Sequence, residues 1–100
     1  MDYLEINSDR TTLIYGDCKE LVATNGGVYG NRDSSKIQKI DKLTLNNCTT
    51  GFSNRYIQLK EIHSFNSTIS STDSICNKEL LETIEIIVTN TSYYYYSSAF

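Results

Sequence analysis

"RYIQLKEIHSF", residues 55–65, is the stretch that decides the predicted fold. Ile57 and Leu59 alternate with polar residues, which is the pattern of a β-strand with one buried face. At Ile62 the apolar residues change to the other parity. A β-bulge near Glu61 reconciles this change with one continuous strand. We therefore predict a single strand over this segment, with a local irregularity in its middle.

Shorter segments on both sides show the same alternation and predict further strands. The strand candidates are residues 3–7, 11–15, 28–30 and 39–46, with a last strand that begins near Thr83. The polar residues 8–10 suit a tight turn, and residues 66–74, which have no periodicity, predict a surface loop. Strand candidates thus recur about every 8–12 residues, as in small β-sandwiches and barrels.

Residues 17–24 fit two structures. One is a short helix with Asp17 as its N-cap and glycine as its stop. The other is a strand, Lys19–Thr24, that ends in a hairpin at Asn25-Gly26, because Asn-Gly is a strong hairpin signal. We favour the strand. The glycine-rich residues 25–31 then form a hairpin whose glycines supply positive φ.

Together these segments predict one all-β domain over residues 1–100. The expected architecture is a small antiparallel sandwich, immunoglobulin-like or jelly-roll-like, of six to seven strands. At most one or two short helices are expected, one of them near residues 77–82, and no internal repeat is evident. The predicted core consists of large aliphatic residues: Leu4, Ile6, Leu13, Leu43, Leu45, Ile57, Leu59, Ile84, Ile86 and Val88.

The composition favours strands and turns and argues against a nucleic-acid partner. Asn, Ser and Thr make up 32 of the 100 residues, and there are eight Tyr but no Pro or Trp. Residues 1–60 carry eight basic and seven acidic groups, or +1, and residues 61–100 carry one and five, or −4. Acidic residues are interspersed in the main basic cluster, which we interpret as a solvated strand face. That cluster is Arg32, Lys36, Lys39 and Lys42.

Histidine and cysteine offer little catalytic or metal-binding chemistry. His63 is the only histidine, and we interpret it as a sheet residue that is hydrogen-bonded locally. Cys18, Cys48 and Cys76 are widely separated along the chain, unlike the close pairs of zinc sites. We predict no metal site and expect small, buried thiols.

Acidic and glycine-rich segments give no stronger indication of a reaction. Glu79, Glu82 and Glu85 are the candidates for paired carboxylates, but a solvated rim explains them better. Residues 25–31 lack the Gly-Lys-Ser/Thr sequence of a phosphate-binding loop. We predict that the protein is not an enzyme, with no catalytic residue and no cofactor.

The sequence also predicts a compartment. "MDYLEINSDR" opens with an acidic residue and has no apolar core of a signal peptide. No segment approaches the about 20 apolar residues that span a bilayer, so no membrane association is expected. Free thiols then indicate a reducing cytoplasm. The chain matches the glycosylation pattern at Asn47-Cys48-Thr49, Asn66-Ser67-Thr68 and Asn90-Thr91-Ser92, which we attribute to chance in so Asn-, Ser- and Thr-rich a chain.

Four consecutive tyrosines near the end of the chain, in "IEIIVTNTSYYYYSS" (84–98), predict a contact surface. Successive strand side chains point to opposite faces, so at most two of the four can face one core. Tyrosine is enriched at protein interfaces because it offers a large contact area with a polar tip. We predict that residues 90–100 bind a neighbouring chain through Tyr93, Tyr94, Tyr95 and Tyr96. The alternative is that the tail packs on its own domain.

In "LTLNNCTTGFSN" and "VTNTSYYYYSS" the chain resembles small virion-associated β proteins of tailed bacteriophages, of the capsid auxiliary, head-fibre or tail-accessory type. The resemblance implies a non-enzymatic structural role in a virion that is assembled in the bacterial cytoplasm. Its partners would be other protein chains, either its own copies or a larger assembly protein. The alternative function is a small inhibitor, encoded by a phage or mobile element, that binds a host defence protein or nuclease. The acidic balance of residues 61–100 supports that alternative.

Overall fold

The computed structural model describes residues 1–30, 37–49, 51–54, 57–71 and 85–95. Over these residues the chain forms eight strands and no helix, so the all-β prediction is confirmed. The strands are β1 (Tyr3–Leu13), β2 (Cys18–Tyr29), β3 (Gln38–Asn46), β4 (Gly51–Asn54), β5 (Ile57–Phe65), β6 (Thr68–Ser71), β7 (Glu85–Thr89) and β8 (Ser92–Tyr95). The helix predicted near residues 77–82 lies outside the described residues.

All strand pairs in the described part of the chain are parallel, so the predicted antiparallel sandwich is wrong. The strand order is β7-β5-β3-β2-β4-β6-β8, with β1 beside β2. The strands form two stacks of parallel pairs, which we call ladders. The first ladder contains the first halves of β1 and β2 with β3, β5 and β7, and the second contains their second halves with β4, β6 and β8. The chain passes from the first ladder to the second in each coil and then returns one level further on. It is therefore wound as a β-solenoid, in which each coil contacts only its neighbours.

The coils have unequal lengths. One register position of the first ladder recurs at Tyr3, Glu20, Lys42, Glu61 and Glu85, and no two of the steps between these residues are equal. The chain thus has a structural repeat, contrary to the prediction of none, and the irregular step hides it from a search at one fixed period.

The change of parity in β5 is confirmed, but it is a corner and not a bulge. Leu59 and Ile62 are both buried, and so are Ile40 and Leu43 in β3. The pairs Ile40–Leu59 and Leu43–Ile62 keep the same register, so neither strand contains an extra residue between them. Both strands change parity at the same level because the wall of the solenoid turns there.

The core consists of stacks of aliphatic side chains that run through the coils. One stack contains Leu21, Leu43 and Ile62, all fully buried, with Leu4 partly buried at its end. Burial of each large aliphatic side chain contributes about 1.5–3 kcal/mol. Among the predicted core residues, Leu43, Leu45, Ile57 and Leu59 are buried, and Leu4 and Ile6 pack against the core while partly buried. Ile84 lies outside the described residues.

The predictions that Leu13 and Val88 lie in the core are wrong. Leu13 is 37% exposed because it pairs with Tyr29 on the outward side of the second ladder. Val88 has the inward parity, since its register partner Ser64 is fully buried, yet it is 40% exposed. Among the described strands β7 is the outermost of the first ladder, so Val88 is covered from one side only.

Several predicted turns are parts of strands. Residues 8–10 lie within β1, and β2 continues through the predicted hairpin at Asn25-Gly26, although the strand prediction before it is confirmed. A Cβ on Gly26 would lie 2.1 Å from the backbone oxygen of Arg10, so glycine is needed there for space and not for positive φ. The predicted loop over residues 66–74 contains β6, where Ile69 is fully buried.

Candidate functional site

Asparagine occupies the corner between the two ladders in successive coils. Asn25, Asn47, Asn66 and Asn90 have φ of 77°, 52°, 53° and 50°, and no other non-glycine residue in the described part of the chain has positive φ. Asparagine tolerates this left-handed conformation because its short polar side chain can hydrogen-bond locally. The same residue type therefore turns the chain in four successive coils.

The side chains of these residues bond to one another along the solenoid. The amide nitrogen Nδ2 of Asn25 donates to Oδ1 of Asn7 at 2.9 Å, that of Asn66 to Asn47 at 3.2 Å, and that of Asn90 to Asn66 at 3.0 Å. We call these five residues the asparagine ladder. All three bonds run in one direction, from an amide nitrogen to the coil that precedes it.

The three glycosylation-pattern matches each begin at one of these corners, at Asn47, Asn66 and Asn90. The residue after the asparagine turns inward, and Cys48 and Ser67 are 1% and 5% exposed. The hydroxyl of Ser67 accepts from the backbone nitrogen of Cys48 at 3.0 Å and donates to the carbonyl of Phe65 at 2.9 Å. An asparagine followed by a small residue, once in each coil at unequal steps, was the sequence signal of the repeat.

Charged side chains of alternating sign line the outward corner of the first ladder. The ion pairs are Lys19–Asp2 at 3.6 Å, Lys42–Glu20 at 3.9 Å and Lys60–Asp41 at 3.6 Å. The side chains are between 39% and 90% exposed, so each pair contributes about 0–1 kcal/mol. The alternation ends at Glu61 and Glu85, which are register partners of like charge. Lys39 is exposed, as expected for a solvated face, and Arg32 and Lys36 lie outside the described residues.

The residues that could act in catalysis or bind a metal do not form one cluster within the described ranges. His63 lies in β5 with Nε2 2.5 Å from Oε1 of Glu61, which confirms the local hydrogen bond predicted for it. Cys18 and Cys48 are buried free thiols, and burial raises the pKa of the Cys48 thiol, which keeps it protonated and unreactive. Within the described ranges no three His, Cys, Asp or Glu side chains form a group that could hold a metal ion. Cys76, Glu79 and Glu82 lie outside those ranges.

The predicted tyrosine contact segment lies at one end of the solenoid. Tyr93, Tyr94 and Tyr95 belong to β8 and pair with Ile69, Ser70 and Ser71 of β6. Tyr96 lies outside the described residues. Among the described strands β8 pairs with β6 alone and β7 with β5 alone, so both are edge strands at the same end.

This end also exposes aliphatic side chains. Val88 of β7 is 40% exposed, whereas its register partner Ser64 in the adjacent coil is fully buried, and Ile87, on the outward parity beside His63, is 44% exposed. At the opposite end β1 is the edge strand among the described residues, and Tyr3 is 51% exposed. We call these two regions the β7–β8 end and the β1 end. They are the candidate functional surfaces.

Comparison with protein-family models, with curated proteins and with solved structures finds no match to this chain. In the ranges that the structure describes, no helix is long and apolar enough to cross a membrane.

Proposed function

We propose that the protein is a non-enzymatic structural component that acts through protein–protein contacts at the β7–β8 end. The observation that carries this proposal is the exposure of Val88. Its register position is fully buried at Leu45 and Ser64 of the interior coils, and it is 40% exposed in β7. A position that continues the core and stays partly exposed in the last described coil is suited to binding another chain.

The physical case rests on the edges of the sheet. An uncovered strand edge presents unpaired N–H and C=O groups as well as apolar side chains, and such edges pair with other chains. Strand addition satisfies the backbone groups, while alternate side chains enter the partner. Tyr93, Tyr94 and Tyr95 support the proposal because β8 follows β7 in the same coil and both are edge strands among those described.

The more specific form of the proposal is a virion component of a tailed bacteriophage, assembled in the bacterial cytoplasm. Its support is the resemblance in "LTLNNCTTGFSN" and "VTNTSYYYYSS" together with an architecture that suits repetitive assembly. The rival is the small inhibitor of a host protein, which the neighbouring carboxylates of Glu61 and Glu85 favour. A virion component is expected at high copy in purified particles. An inhibitor is expected in infected-cell lysate and not in particles.

The test of the contact surface replaces Tyr93–Tyr96 by serine. We expect the variant to remain folded, because the buried core among the residues with described side chains lies in the coils before β8. We also expect it to be lost from the assembly that incorporates the unchanged chain. Tyr15→Ser is the matched control, since Tyr15 is 73% exposed and outside the strands. Circular dichroism reports folding and quantitative mass spectrometry reports incorporation. Normal incorporation of the quadruple variant would contradict the proposal.

A further inference from the structure

The two ends of the solenoid carry matching register positions. In the stacks of the first ladder, Leu4 and Ile6 of β1 hold the positions that Ile86 and Val88 hold in β7. At these positions the interior residues are 0–2% exposed: Leu21, Ala23, Leu43, Leu45, Ile62 and Ser64. Leu4 and Ile6 are only partly buried, and Val88 is 40% exposed. Each end therefore presents the continuation of the stack that the other end lacks.

The asparagine ladder gives the ends opposite polarity. The amide nitrogens of Asn25, Asn66 and Asn90 each donate to the preceding coil. The side-chain oxygen of Asn90 and the N–H₂ of Asn7 are therefore the groups that a further coil would meet. When the β7–β8 end of one copy meets the β1 end of another, the side-chain oxygen of Asn90 faces the amide N–H₂ of Asn7, an acceptor against a donor. Two identical ends would bring donor to donor or acceptor to acceptor, so the ladder favours a head-to-tail contact over a symmetric one.

Between the described strands, the same alignment places no like charges opposite each other. Continuing the register sets Glu85 against Tyr3 of the next copy and Ile87 against Glu5. In the second ladder it sets Tyr93 against Thr12. The tyrosine segment thus falls within the same contact.

We propose that the chain stacks end to end on copies of itself, with β7 and β8 of one copy pairing in parallel with β1 of the next. This inference rests on the proposed function and names the partner as a second copy. A head-to-tail contact of this kind propagates into an open series unless its rotation closes a ring.

Two variants, each blocked at one end, test the inference. Val88→Lys places a charge in the β7–β8 end and Leu4→Lys places one in the β1 end, and inward-pointing charges prevent edge pairing. We expect the unchanged chain to form a concentration-dependent series of oligomers in sedimentation velocity. Each variant alone should require about tenfold or more higher concentration to associate. An equimolar mixture of the two should form dimers and nothing larger, because only one compatible pair of ends remains.

The controls separate blocking from unfolding. Ile37→Lys changes an aliphatic residue of similar exposure, 41%, that precedes an interior strand, and it should leave the oligomer series unchanged. Circular dichroism of each variant checks that it is folded. Failure of the mixture to form dimers, with both variants folded, would contradict head-to-tail stacking.

A cross-link provides a measurement that does not depend on the charged variants. Ile6 and Val88 are four coils apart within a chain, about 19 Å at the strand spacing, whereas a disulfide needs Cα atoms within about 7 Å. Ile6→Cys combined with Val88→Cys should therefore give a ladder of disulfide-linked multimers on oxidation. The chain with its native cysteines alone should not. Absence of that ladder would overturn the stacking.

The failures of the two proposals are distinguishable. If the tyrosine variant is lost from particles while the unchanged chain stays monomeric and does not cross-link, the partner is a different protein and only the stacking is wrong. If the chain stacks in solution but the tyrosine variant is incorporated normally, the stacking through the β7–β8 end stands and the proposed contribution of Tyr93–Tyr96 to the contact is wrong.

Discussion

The interior coils and the last described coil use the same register positions with different outcomes. Leu43 and Leu45 in β3 are fully buried, but Val88, on the inward parity of β7, is 40% exposed. The difference is not in the side chains, since all three are aliphatic. It arises because a solenoid residue is covered by its neighbouring coils, and a position at an end has one neighbour where an interior position has two.

The largest expected loss of stability comes from truncating a side chain inside one of the core stacks. Leu43→Ala removes a fully buried side chain between two coils, and we expect it to lower the free energy of unfolding by about 2–5 kcal/mol. Val88→Ala should lower it by less than about 1 kcal/mol, because the side chain is already partly solvated. Urea denaturation followed by circular dichroism measures both. Equal losses would mean that Val88 is covered as completely as Leu43.

A second comparison lies within the asparagine ladder. Asn66 donates to Asn47 and accepts from Asn90, so Asn66→Ala removes two hydrogen bonds. It also places alanine, which disfavours the left-handed conformation, at a φ of 53°. We expect Asn66→Ala to lower the free energy of unfolding by about 1–3 kcal/mol, as measured by urea denaturation. The decrease should be smaller for Asn90→Ala, which removes one hydrogen bond. Asn66→Gly, which tolerates the backbone conformation, separates the two contributions. A loss for Asn90→Ala as large as that for Asn66→Ala would contradict the comparison.

The smallest effect concerns pH. Burial raises the pKa of the Cys48 thiol, so the folded chain holds this proton more tightly than the unfolded chain does. The protonated Cys48 thiol makes its full contribution to stability below the pKa of the unfolded chain, about 8.5. That contribution is lost as the pH rises through the pKa of the thiol in the folded chain. Tyr3, at the β1 end, also has a raised pKa, but the main cause there is its hydrogen bond to Glu5 at the surface.

Thermal unfolding between neutral and alkaline pH measures this contribution. Cys48→Ala should flatten the decline of stability at alkaline pH, whereas Tyr3→Phe should leave it in place over the range in which the thiol titrates. An unchanged alkaline decline in Cys48→Ala would assign that decline to other groups.

Local features of the fold were predictable from the sequence. Alternation at Leu43 and Leu45 identified β3, and alternation at Ile57 and Leu59, with the change of parity at Ile62, identified both β5 and its irregular middle. These predictions succeed because the two faces of a strand are set by a period of two, which the chain carries locally. His63 was likewise correctly interpreted as hydrogen-bonded within its sheet.

The candidate site was only partly predictable. The tyrosine run predicted a contact segment, but not that β8 follows β7 in one coil or that both are edge strands among those described. The asparagine corners were visible as Asn47-Cys48-Thr49 and the two similar matches, yet they resembled chance in this composition. Their unequal steps and the abundance of Asn, Ser and Thr elsewhere in the chain concealed the repeat.

By itself, the sequence determined that the chain is β-rich, where most of its longer strands lie and which side chains in them face inward. The tertiary structure alone decided that the strands run parallel and that their coils stack. Asn25-Gly26 illustrates the reason, because a positive φ at asparagine suits a hairpin as well as a corner between two ladders. Alternating burial is the same in a sandwich and in a solenoid. What separates them is which distant strand lies alongside, and that depends on contacts such as Leu21 with Leu43, between residues a whole coil apart, which no local pattern encodes.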